Sequence, residues 1–203
     1  MSARDAILDK LRRAVPADLA EQAAALVRGN ERPPEPAGTL AERFAGRLAA
    51  PSVSATIERI GALDALPAAV GRYLGEAGLA PALYLPPDPA VLGLDWSGFA
   101  ITDAALPDQP AALAVAKAGA AESGSLVFET APDAPMLPNF LTLHHIVVLA
   151  ADTLVDRLED IPADLAGHRA HYWVTGVSGT TDIEGQYVRG AHGPRFLHVV
   201  LVG

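Results

Sequence analysis

Residues 52–87 read SVSATIERIGALDALPAAVGRYLGEAGLAPALYLPP, and the alternation inside them decides the fold. Val53, Ala55 and Ile57 recur at the two-residue period of a strand. Residues 64–77 then carry a helical pattern with Gly78 just past its end, and residues 82–85 form a short apolar run stopped by Pro86 and Pro87. Working outward, the same rhythm predicts a strand at 98–102, a helix at 109–117, strands at 125–129 and 144–150, a helix at 152–158, a strand at 171–175 and a terminal strand at 196–202. Short apolar strands in series with helices imply an α/β domain with a mostly parallel sheet flanked by helices. In such sheets, ligands sit beyond the C-terminal strand edge.

The region before residue 51 has a different character. Residues 2–14 read as a helix capped by Ser2, with Asp5 in its first turn and an apolar stripe of Ile7, Leu8 and Leu11; residues 18–28 suit a second helix. The segment GNERPPEPAG at 29–38 has the prolines and charges of a linker, and a short helix is expected at 40–48. We therefore divide the chain into an N-terminal helical arm and linker, 1–50, and an α/β domain, 51–203. The arm suits packing on the domain or clasping a second copy in a homo-oligomer.

Composition narrows the function. The chain has 203 residues, half of them hydrophobic but only 5% aromatic, and a formal net charge of −9. An acidic chain without clustered Lys and Arg is not a nucleic-acid binder. No cysteine occurs, so disulfides, thiolate catalysis and cysteine-ligated iron–sulfur clusters are excluded from this chain. No stretch has the length of a membrane span or a signal-peptide core, which predicts a cytoplasmic protein. The histidines and carboxylates lack the spacing of a metal motif, and neither G-K-[ST] nor G-x-G-x-x-G is present; no metal or other cofactor is expected in this chain.

Two stretches carry candidate chemistry. Residues 175–194, TGVSGTTDIEGQYVRGAHGP, interleave Gly176, Gly179, Gly185, Gly190 and Gly193 with Ser178, Thr180, Thr181, Asp182, Glu184 and His192. Glycines allow close backbone approach, and free N–H groups and hydroxyls make an anion-accepting edge. The same residues also suit structural roles: Thr181 and Glu184 fit a capping box that would start a helix, and 190–194 fit a tight turn. Residues 117–129, KAGAAESGSLVFE, place Glu122, Ser123 and Gly124 before a strand. Here Gly124 reads either as the left-handed cap of a helix or as the neighbour of a carboxylate facing a pocket. His144 and His145 are adjacent on a strand and must point to opposite faces. A lone histidine on an apolar strand is usually a core group, although its titration range suits acid–base work.

AESGSLVFE at 121–129, HHIVVL at 144–149, SGTTDIE at 178–184 and GAHGP at 190–194 occur in the order in which they resemble the LUD-domain family, in its lactate-utilisation protein C branch. The family's pattern departs from this chain where a proline and an arginine are usual at Val177 and Gly179, an arginine at Met136 and a proline at Thr142. The resemblance implies a nagB/RpiA/CoA-transferase-like sheet and makes His145 the matching histidine. It also implies an accessory role in L-lactate oxidation to pyruvate beside iron–sulfur partner proteins. The site so implied binds a small carboxylate or phosphate-bearing ligand through Ser123, Gly124, His145, Gly176, Ser178, Thr180, Thr181, Glu184 and Gly193, with Glu122, Asp182 and His192 as groups for chemistry. Two alternatives stand beside it. One is an acyl or CoA transferase, or an isomerase, using Glu122 or Asp182; the other is a non-catalytic docking subunit.

Overall fold

The computed structural model describes residues 2–13, 18–28, 34, 36–104, 106, 109–162 and 167–203. The chain divides into two units, Met1–Pro36 and Ala37–Gly203. The first holds α1 (Ala3–Arg13) and α2 (Leu19–Arg28). Ser2 caps α1 as its sequence predicts: its hydroxyl accepts from the Asp5 N–H at 3.1 Å, and the Asp5 carboxylate accepts from the Ser2 N–H at 3.0 Å. Of the predicted linker, residues 29–33 and 35 lie outside the described residues, as does Ala14 of the first predicted helix.

In the larger unit, α3 (Leu40–Leu48) opens with a capping box between Thr39 and Glu42 and leads to β1 (Thr56–Ile60). A 3-10 turn at Leu63–Ala65 continues into α4 (Leu66–Glu76), followed by β2 (Ala82–Tyr84), α5 (Pro89–Leu92), β3 (Ala100–Thr102) and β4 (Ala111–Val115). The chain then forms β5 (Ala118–Ala120), β6 (Ser125–Glu129), α6 (Pro138–Leu141), β7 (His144–Ala150) and β8 (Leu154–Val155). It ends with β9 (His171–Val174), β10 (Gly179–Thr181), β11 (Tyr187–Arg189) and β12 (Phe196–Val202).

The central sheet has six strands in the order β1-β12-β7-β4-β2-β3, all paired parallel. Its two faces are covered differently. On one face α4 contributes Leu66, Val70 and Leu74 to a core with Ile146 and Val148 of β7 and Val200 of β12. On the other face Val147, Leu149, Val199 and Leu201 pack against Phe44 and Leu48 of α3 and Leu126 and Phe128 of β6. Strand β6 belongs to a second sheet, β8-β5-β6-β9, in which β5/β6 and β6/β9 are antiparallel. The expected mostly parallel sheet flanked by helices is thus present, with this smaller sheet as an additional cover. Helix α3 lies in the larger unit rather than with the arm, because Phe44 and Leu48 are fully buried in its core.

Two predicted helices are absent. Residues 109–117, rich in alanine, form β4, since Ala111, Ala112 and Leu113 are buried in a strand covered on both faces and burial overrides alanine's helical preference. Residues 152–158 instead make a 3-10 turn, the two-residue β8 and the start of another turn. The predicted first strand begins three residues later than Val53, at Thr56, after a turn in which Ser54 has φ of 55°.

Candidate functional site

The glycine-rich segment leaves β9 and folds back over the starting edge of β7 and β12. Val177 N–H donates to the Val53 carbonyl at 3.1 Å, Ser178 N–H to the Pro194 carbonyl at 2.8 Å and Gly190 N–H to the Ser178 carbonyl at 2.9 Å. These three bonds close the base of the segment. Gly176 is required there: its φ is 93°, and a Cβ would lie 2.5 Å from the Val53 carbonyl oxygen. Beyond the base, β10 and β11 pair as an antiparallel hairpin. No helix starts at Thr181. Asp182 instead organises the hairpin turn, its Oδ1 accepting from the N–H groups of Glu184 at 2.9 Å and Gln186 at 2.8 Å.

Under this base lies a cleft of about 310 Å³ lined by residues including His145, Trp173, Thr175, Ser178, His192 and Leu197. It also takes in Asn139 and Phe140 of α6, and Gly176, Gly193 and Pro194. Among the described residues its lining holds no carboxylate. The structure therefore brings together His145, Gly176, Ser178, His192 and Gly193 from the sequence-derived set. His145 forms the floor, 1% exposed, and its Nε2 has no hydrogen-bond partner. Burial pushes its pKa down to about 4, so the ring is neutral at pH 7.

The other sequence-derived residues lie elsewhere. Thr180, Thr181, Asp182 and Glu184 belong to the hairpin and its turn and are not in the cleft lining. Glu122 also stands apart, its Oε1 accepting from the Leu158 N–H at 2.7 Å. Gly124 has the left-handed backbone expected of it (φ 73°), but it turns the β5–β6 hairpin rather than capping a helix, and a Cβ there would press on Arg47. Ser123 connects to the cleft indirectly. Its hydroxyl lies 2.8 Å from that of Ser125, which lies 2.6 Å from the Thr175 hydroxyl in the cleft wall. The sheet edge also differs from expectation: the cleft opens at the N-terminal ends of β7 and β12, where Leu197 pairs with His145.

Sequence reasoning missed the wall residues Asn139, Phe140 and Trp173. Asn139 donates from Nδ2 to the Tyr172 hydroxyl at 2.6 Å, and Tyr172 stacks on Phe128 at 5.3 Å, fixing α6 against β9. Trp173, adjacent to Tyr172, exposes part of its ring at the mouth. The available signal was the Tyr172-Trp173 pair immediately before the glycine-rich segment in a chain with few aromatics. At the family's usual arginine position, a side chain on Gly179 would displace the exposed Tyr187 ring that packs over it. Met136 is partly exposed, and Thr142 is buried with its hydroxyl donating to the His144 carbonyl at 3.2 Å.

Among the described residues no group of three or more histidines and carboxylates is placed to hold a metal, and no helix is long and apolar enough to cross a membrane. Comparison with known proteins places these features in context. A duf162 family protein from Deinococcus radiodurans has a similar crystal structure, with a TM-score of 0.60 over 81% of this chain and 96% of that one at 20% identity, a likeness of fold. Lactate utilization protein C of Deinococcus radiodurans is 33% identical over 91 residues, which is 40% of this chain and 41% of that protein. The match thus spans less than half of the curated relative. The family model for the LUD domain matches residues 101–202, half of the 203 residues and the part that carries the cleft's floor, walls and glycine-rich roof, so the chain belongs to the LUD domain family.

Proposed function

We propose that the chain is an accessory component of an L-lactate utilisation system and holds a small carboxylate in the cleft floored by His145. The observation that carries this reading is the cleft's lining: Ser178, Thr175, His192 and His145 offer hydroxyl and imidazole groups, and among the described residues no carboxylate lines it to compete with an anionic ligand. A carboxylate accepts well from such groups in a partly desolvated setting, each hydrogen bond to a charged group contributing about 1.5–3 kcal/mol. Kinship with a protein named for lactate utilization supports a small carboxylate as the ligand class. Electron transfer in such a system falls to iron–sulfur partner proteins, because a chain without cysteine supplies no thiolate for a cluster.

A thermal-shift screen against L-lactate, pyruvate and short acyl-CoAs tests the reading, since a ligand that binds only the folded state raises apparent stability by about 2.7 kcal/mol at a hundredfold excess over Kd. Stabilisation by L-lactate or pyruvate that disappears in Ser178→Ala and His192→Ala supports it. Stabilisation by acyl-CoA that depends on Glu122 would favour a transferase instead. Glu122 and Asp182 both accept from backbone N–H groups and neither lines the cleft, so that alternative draws no support from its geometry. A docking role has an observation of its own: Ile183 at the hairpin tip is fully exposed, and Leu137, Phe140 and Trp173 also expose apolar surface. Loss of iron–sulfur partner co-purification in Ile183→Asp, with carboxylate binding intact, would assign docking to the hairpin.

A further inference from the structure

The cleft floored by His145 is larger than L-lactate requires. Its volume of about 310 Å³ has room for about ten water molecules, of which L-lactate, with a methyl group for a side chain, displaces about four. The surface that lactate leaves uncovered is apolar: Phe140 of α6, Trp173 and Val174 of β9, Pro194 before β12 and Leu197 within it. Mostly apolar walls with a few polar groups are what fixes a ligand that has both an apolar body and a polar end.

Two of these side chains are aromatic and exposed to an extent that packing does not explain. Trp173 is 42% exposed and Phe140 41%, whereas Trp96, the other tryptophan, is 8% exposed. Both are nevertheless held in place. Asn139, next to Phe140, donates to the hydroxyl of Tyr172, next to Trp173, so one hydrogen bond of 2.6 Å ties the two aromatic walls together. The Trp173 indole N–H donates to His171 Nε2 at 2.7 Å, which leaves the His171 proton on Nδ1, 3.4 Å from Glu129 Oε1. Glu129 is in turn buried and held by Lys117 and by His168, whose Nε2 lies 3.0 Å from it.

A buried carboxylate thus orients an exposed indole at the mouth of the cleft. The ring contacts of both aromatics are oblique, His171 against Trp173 at 67° and Tyr172 against Phe140 at 45°. Among the described residues no ring stacks flat on either, and a flat ring is the partner that such faces accept. Exposed apolar surface beside polar groups is also the mark of a ligand groove.

We propose that the ligand of this cleft is an α-hydroxy acid with an aromatic side chain, its carboxylate among Thr175, Ser178 and His192 and its ring against Trp173 and Phe140. The proposal rests on the carboxylate reading of the same cleft and adds the side chain that the reading leaves open. Calorimetric titration of the full chain with L-lactate, L-phenyllactate and the neutral L-phenyllactamide separates the two. L-Phenyllactate is expected to bind at least about tenfold more tightly than L-lactate. Trp173→Ala, at an exposed position, is expected to lose about tenfold towards L-phenyllactate while L-lactate affinity stays within about twofold, with an unchanged unfolding midpoint verifying that the variant keeps its fold. Equal affinity for the two acids, or L-phenyllactate binding untouched by Trp173→Ala, would overturn the proposal and leave the carboxylate reading standing. Equal binding of L-phenyllactamide, or no binding of either acid, would overturn both.

Discussion

His145 and His198 are buried imidazoles on opposite faces of one sheet, and both have pKa values pushed down to about 4 by burial. In the unfolded chain they return to about 6.5, so as pH falls the unfolded state takes up protons first. Their contribution is therefore complete above pH 6.5 and lost as pH falls from 6.5 towards 4, at roughly 3 kcal/mol per imidazole. Denaturant titrations across that range are expected to show a steep fall in stability, with the slope reduced by about one proton in His145→Asn. A flat profile between pH 6.5 and 4 would contradict the burial of neutral rings. Strand alternation made the opposite orientations of His144 and His145 legible in the sequence. Asn139 was not legible, because its partner Tyr172 lies 33 residues away and only the tertiary fold joins them.

Among the elements, those with strong local signals are where the sequence puts them, and those decided by burial are not. The α1 cap, α4, β6, β7, β9 and β12 follow from caps, glycine stops and apolar runs. Strand β4 was read as a helix because its alanines have no local feature that disfavours one; only its place between β7 and β2 makes it a strand. The glycine-rich roof was half legible: its glycines marked a tight loop, but the T-x-x-E pattern suggested a helix where Asp182 builds a hairpin turn. Two substitutions test the element-level assignments. Phe44→Ala, emptying the α3 contact with the second sheet, is expected to cost about 3–5 kcal/mol in unfolding free energy. Gly176→Ala sets a Cβ against Val53 and is expected to raise hydrogen exchange across β10 and β11 while leaving β7 and β12 protected. Unchanged exchange in the hairpin would mean the roof is not anchored at Val53.

For the molecule as a whole, the sheet, the family and the candidate residues of the roof were legible, while the position of the cleft was not. The proposed cleft lies at the N-terminal strand edge because the β9–β12 connection returns over that edge, a matter of topology that no local pattern records. The division at Pro36 predicts that removing residues 1–36 leaves the unfolding midpoint of the larger unit unchanged within error; a large fall in midpoint would contradict its independence. In the smaller unit Ile7, Leu8, Leu19 and Leu26 are exposed, so the same truncation offers a test of self-association by sedimentation. The most direct test of the carboxylate cleft is to follow the six histidine ring signals by NMR during titration with L-lactate and, in parallel, neutral L-lactamide. Binding in the proposed cleft shifts His145 and His192 with L-lactate, leaves His144 and His198 in place, and gives little response to L-lactamide. Silence at His145 and His192, or equal shifts with the neutral amide, would contradict a carboxylate site there.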